Sequence, residues 1–153
     1  MVASAVQRDV MVPEVTTVLA WHEAVNRGDV ERLLALSSDD VEVGGPRGRG
    51  RGAQLLRDWF GRAGIRLTPR RIFCRRQTVV VEQEAEWRVP GNPGSDESAG
   101  RQVVASVFGV HDGRVTSVVR YPDLASALQA AGLAKADEVE VAVALKLRPS
   151  QEG

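Results

Sequence analysis

The sequence predicts an α+β domain in which three N-terminal helices close one side of a curved antiparallel sheet over an apolar pocket. Two observations predict it: apolar residues recur at helical spacing up to about residue 63, and from residue 65 the period drops to two. A third is Asp112-Gly113, which joins two alternating runs as a tight hairpin.

The first helix starts at Pro13, whose missing N–H costs nothing in a first turn. Val15, Val18, Leu19, His22 and Val25 or Asn26 form its apolar face. Gly28 is the expected left-handed cap, and Asp29 caps a second short helix, Val30 to Leu36. Ser37 to Asp40 reads as a turn, Val41-Glu42-Val43 as a short strand, and Gly44 to Gly52 as a glycine-rich loop. Ala53 to Ala63 is the third helix, with Leu55, Leu56, Trp59 and Phe60 on its apolar side.

Ile65 to Arg75 can form a strand interrupted near Pro69. Thr78 to Arg88 is the clearest strand: Val79, Val81, Gln83, Ala85 and Trp87 share one face, with Val80, Glu82, Glu84, Glu86 and Arg88 on the other. Residues 90–100 form a polar loop, and Gln102 to Val110 and Arg114 to Tyr121 are the last long strands. Pro122 opens a short helix, Leu124 to Ala131, with Asp123 before it as a cap. Beyond it, Val139, Val141, Val143, Leu145 and Leu147 alternate with more polar residues, so the tail reads as an added edge strand. The expected division is an arm at 1–12, one domain at 13–134 and a C-terminal extension at 135–153.

Composition narrows the function. A length of 153 residues suits one core, and no apolar run approaches a membrane span of about 18 residues. With no leader-like start at Met1 to Val10 and a single cysteine, Cys74, the expected compartment is the cytoplasm. Cys74 lies in an apolar alternating stretch and reads as a small buried hydrophobe. Net charge is zero, yet arginines crowd the segment 47–76 with Asp58 the lone acid there. That cluster could serve an interaction module, but it lacks interleaved aromatics, and arginine replaces lysine everywhere except Lys135 and Lys146. The sequence therefore argues against a nucleic-acid partner. Two distant histidines without a carboxylate at ligand spacing give no metal site, and no Gly-Lys-Ser/Thr phosphate loop is present, so no cofactor is expected.

The order of elements, with Ala20-Trp21-His22-Glu23-Ala24-Val25-Asn26-Arg27-Gly28-Asp29, Asp39-Asp40-Val41-Glu42-Val43, Arg51-Gly52 and Tyr121-Pro122-Asp123-Leu124, resembles the nuclear transport factor 2-like superfamily, and in particular its SnoaL-like members. The resemblance spans about residues 13–134 and implies a cone-shaped roll and a homodimer formed through the convex sheet face. The superfamily holds steroid isomerases, epoxide hydrolases, polyketide cyclases and proteins without catalysis, so fold alone does not give function. The isomerase positions are filled by Gly45 where the carboxylate base would lie, by Trp21 for the tyrosine donor and by Phe108 near the acid donor. The hydrolase's last-strand aspartate falls at or near Arg120, and Glu84, Glu86 and Arg88 lie on the face opposite Val79 and Val81. A cyclase-like acid/base pair would be His22 with a carboxylate such as Asp123 or Glu86.

The remaining expectation is a small-ligand pocket. Trp21, Trp59, Trp87 and Phe108 would supply its wall, and Gln83, Ser106 and Arg120 a few polar contacts for a small apolar or carboxylated molecule. Arg120, if it faces inward, must meet an anion, because a lone buried charge is costly.

Overall fold

The computed structural model describes residues 13–45, 48–63, 65–87 and 100–139; at 59–63, 65, 87 and 100 only the backbone is described. Helix α1 (Pro13–Arg27) buries Val15, Val18, Leu19, Trp21, His22, Ala24 and Val25. Gly28 leaves it at φ 71°, a conformation that glycine adopts without a Cβ clash. Asp29 starts α2 (Val30–Ala35) by accepting the Arg32 N–H at 3.1 Å. Helix α3 (Ala53–Ala63) follows two short strands and buries Leu56.

The described strands are β1 (Ser37–Gly45), β2 (Gly48–Arg51), β3 (Ile65–Arg75), β4 (Thr78–Trp87), β5 (Gly100–His111), β6 (Arg114–Tyr121) and β7 (Glu138–Val139). They form one sheet in the order β2-β1-β6-β5-β4-β3-β7. All neighbours are antiparallel except β1 and β6, which run parallel.

The glycine-rich segment expected as a loop is instead the end of one strand and a second strand. Gly44 and Gly45 complete β1, and Gly48 to Arg51 fold back as β2. Glycine permits this approach: a Cβ at Gly44 would lie 2.6 Å from the Arg49 Cγ, and one at Gly50 would lie 2.5 Å from a Leu55 methyl. The turn expected at Ser37 to Asp40 is likewise part of β1, with the irregularity surviving as a register shift between Ser37 and Glu42. Pro69 does not break β3; the strand absorbs it as a bulge between Pro69 and Arg71.

The two sheet faces bury different clusters. On the concave face, Val79, Val81, Ala85, Val104, Phe108 and Val110 pack with α1, Leu33 and Leu56. On the convex face, Phe73, Val80 and Ala105 pack under helix α4 (Leu124–Ala131). This explains why Val80, which alternates with the glutamates, is fully buried. Glu84 and Glu86 emerge beyond the helix on that outer face and pair with Arg101.

A 3-10 turn, Lys135–Asp137, leads into β7, which pairs with β3 through Ile72 and Phe73 of the same chain. Arg71 binds Glu138 through two bonds of 3.0 Å, and Arg75 reaches Asp137 at 3.1 Å. These pairs are largely exposed, so they add little stability and chiefly fix the register. The expected continuation of this strand, 140–147, and the polar loop at 90–99 lie outside the described residues.

Asn26 carries a role beyond ending α1. Its side-chain amide donates to the Leu67 carbonyl and its oxygen accepts the Leu67 N–H, both at 2.7 Å, so it pairs with β3 as a strand would. Asn26→Ala should cost about 2–3 kcal/mol by stranding both Leu67 groups. Asn26→Asp should fall between, since it keeps the acceptor and loses the donor. Urea unfolding of the three proteins checks this order.

Candidate functional site

The strand register brings most of the expected site residues together on the concave face. Val79 lies opposite Phe108, Val81 opposite Ser106 and Gln83 opposite Val104; Ser106 in turn lies opposite Arg120. Helix α1 covers this row with Trp21 and His22.

His22 is 2% exposed and sits in a one-way chain of hydrogen bonds. A carbonyl can only accept, so the Nδ1–H donates to Val18 O at 2.8 Å. Nε2 is then the acceptor for the Gln83 amide N–H at 2.9 Å. The Gln83 Oε1 accepts the Ser106 hydroxyl at 2.9 Å. Every polar atom of the imidazole has a partner, and burial lowers its pKa to about 4. The ring is therefore neutral at physiological pH, and its basic lone pair faces an amide.

Trp21, 1% exposed, donates its indole N–H to Ser37 Oγ at 3.2 Å, and that hydroxyl donates to Leu33 O at 2.8 Å. Phe108 stacks edge-on against Trp21 at 5.2 Å and lies 5.4 Å from the His22 ring. The deep end of the concave face is thus filled by an aromatic trio with its polar atoms satisfied.

The carboxylates named as partners for His22 lie elsewhere. Asp123 is exposed and caps α4, accepting the Ser126 N–H at 2.8 Å, which holds its carboxyl below the usual range. Glu86 lies on the opposite sheet face, 3.1 Å from Arg101. Among the described residues no acid is within hydrogen-bond reach of His22. The side chains of Trp59 and Trp87 lie outside the described residues, as does Arg88. Cys74 is half-buried, and burial pushes its thiol up to about 11, which suits a packing residue better than a nucleophile.

Arg120 lies on the same face, half-buried and opposite Ser106. Burial lowers its pKa. Among the described residues it makes no hydrogen bond or ion pair. Beside it, Gly45 of β1 presents bare backbone: among the described residues, a Cβ there would have the Arg120 Cβ as its nearest neighbour, at 3.9 Å. Sequence reasoning treated Gly45 only as a vacated base position and missed it as a neighbour of Arg120. Among the described residues no group of His, Cys, Asp and Glu is placed to hold a metal ion, and no helix is long and apolar enough to cross a membrane.

A curved sheet with helices packed in its concavity defines the nuclear transport factor 2-like class. Within it, the chain belongs to the SnoaL-like domain family, whose family model matches residues 18–118. It is similar to an LEH-like epoxide hydrolase from M. tuberculosis, at 25% identity over 76% of this chain and 87% of that one, TM-score 0.62. It also resembles a candidate polyketide cyclase from Xanthomonas campestris, at 23% identity over 74% and 93% of the two chains, TM-score 0.61. A third is TerC co-crystallised with polyporic acid, at 20% identity over 74% and 94%, TM-score 0.62. No curated protein matches the chain.

The buried imidazole makes stability depend on pH. The unfolded chain takes a proton on His22 near pH 6.5, whereas the folded chain resists it until about pH 4. Stability is therefore intact above pH 6.5 and declines as pH falls through that window, by about 3 kcal/mol in total. His22→Gln should flatten this part of the curve. Urea midpoints of both proteins from pH 4 to 7.5 check it; parallel curves would show that His22 is not the buried base.

Proposed function

We propose that the protein binds a small, largely apolar molecule at the mouth of its concave face, with His22 acting as scaffold and not as a base. The observation behind this reading is the contrast along one face. Trp21, Phe108, Gln83 and Ser106 are sealed at the deep end, at 3% exposure or less. Gly45 and Arg120 keep partial exposure at the other end, and Gln102, next to Ser106 and Val104 in the inward-facing row of β5, is exposed. A face that is packed below and open above, with few polar groups, has the anatomy of a small-ligand site.

Gln83 and Ser106 then support the wall from behind, since their polar atoms already serve His22. Trp59 and Trp87 remain proposed as ligand-binding residues. The TerC structure with polyporic acid offers a fold-level parallel for a small organic ligand. The homodimer implied by the family resemblance would use the convex face, whose exposed part carries Glu84, Glu86 and Arg101 beside the α4 helix.

A hydrolase or cyclase reading draws on the epoxide hydrolase and the candidate cyclase among the similar structures. It would need a carboxylate working with His22 or Arg120, and among the described residues neither has one. Two measurements separate the readings. Native mass spectrometry of the purified protein should reveal a non-covalent small-molecule adduct, and the same adduct should persist in His22→Gln. Turnover of an epoxide or polyketide substrate that falls by about a hundredfold or more in His22→Gln, with a pH profile governed by one histidine, would overturn the scaffold role.

A further inference from the structure

We infer that Arg120 and the side-chain-free backbone of Gly45 form an anion subsite that takes the carboxylate of a small apolar molecule. This rests on the concave-face binding reading above and names the ligand class for it.

The argument begins with what an arginine requires. Its guanidinium carries five donors and stays charged in a protein. Removed in part from water without a partner, such a group is unfavourable unless something anionic meets it. Arg120 is half-buried on the face that packs the core, and burial works against its charge.

Each nearby acid is otherwise engaged. Glu42 lies three register steps away on β1 and on the other face, where it accepts from Arg49 at 3.3 Å. Asp123, three residues along the chain, is held by the Ser126 N–H of its own helix. Ser106, directly opposite on β5, is neutral and donates its hydroxyl hydrogen bond to Gln83 Oε1.

The neighbour on the remaining side is the informative one. In a sheet, an arginine is commonly answered by the side chain beside it on the next strand. On β1 the register runs Val43–Val118 and Gly44–Val119, which sets Gly45 beside Arg120. Gly45 has no positive φ, so the backbone there does not demand glycine. What glycine supplies is space: among the described residues, the nearest atom to a Cβ at that point is the Arg120 Cβ itself, at 3.9 Å. An unanswered cation beside an unfilled position at the open end of an apolar face suits a ligand headgroup. One planar fork matches a monoanionic carboxylate, whereas a phosphate dianion would call for further cations, and among the described residues no other lysine or arginine is placed on this part of the face.

Three probes with one body separate charge from shape: 4-phenylbutanoate, 4-phenylbutanamide and 4-phenylbutylamine. Each is titrated into the full-length protein while the arginine Nε–H and tryptophan Nε1–H signals are followed by NMR. The carboxylate should bind at least about tenfold more tightly than the amide and shift the Arg120 Nε–H. Arg120→Gln should erase that preference, so that carboxylate and amide bind alike. Gly45→Asp should lower carboxylate affinity by a similar factor without weakening the amide, by giving Arg120 an internal partner. This second variant keeps the test readable if Arg120→Gln does not fold.

Equal affinity for carboxylate and amide in the wild type, or a preference that survives Arg120→Gln, would overturn the anion subsite and leave the binding reading standing. If none of the three probes moves any tryptophan or arginine signal up to its solubility limit, both fall together.

Discussion

The hydrogen-bond chain from Ser106 through Gln83 and His22 to Val18 O is the constraint on which the concave face depends. It joins β5, β4 and α1 through atoms that water does not reach, where a missing partner would cost about 1–3 kcal/mol. Because each link has a defined donor and acceptor, the helix can sit over the sheet at only one height and rotation. A second chain, from Trp21 through Ser37 to Leu33, ties the same helix to β1 and α2. The aromatic trio is oriented by these two anchors, and the mouth of the face lies where the anchors stop.

The same chains explain why parts of the fold were legible and parts of the site were not. Side-chain period shows which face a residue joins, so the inward row of Val79, Val81, Gln83 and Ala85 and the charged opposite row could be read directly. The period does not show what a polar residue on that face will meet. Gln83 and Ser106 were expected to touch a ligand, since polar groups on an apolar face need a partner. Their partners turned out to be each other and His22, the last 61 residues from Gln83 in sequence. Asn26 was read as the end of a helix, and its pairing with Leu67 depends on a strand 41 residues away. The segment from Gly44 to Gly52 misled for a different reason. Glycine marks both loops and close approaches, and only the packing of Arg49 and Leu55 distinguishes them here.

Members of this fold can host different chemistry because the scaffold and the reactive groups are set by different residues. Here the scaffold uses the histidine and the tryptophan that could have been catalytic, and commits their polar atoms to packing. Away from these committed groups, Gly45 and Arg120 lie side by side on β1 and β6. Burial keeps His22 neutral and works against the charge of Arg120, so the two groups on this face differ in what they need from a neighbour.

The parallel pairing of β1 with β6 has a consequence for how the chain reaches this state. β1 joins the body of the sheet only through a strand made more than seventy residues later. Helices α1, α2 and α3 therefore leave the ribosome well before the surface they cover exists. Strands β3, β4 and β5, on which α1 packs, are made before β6, but until β6 is synthesised β1 has no strand linking it to them. Joining β1 to the body of the sheet is consequently a late event, governed by the closure of a long loop.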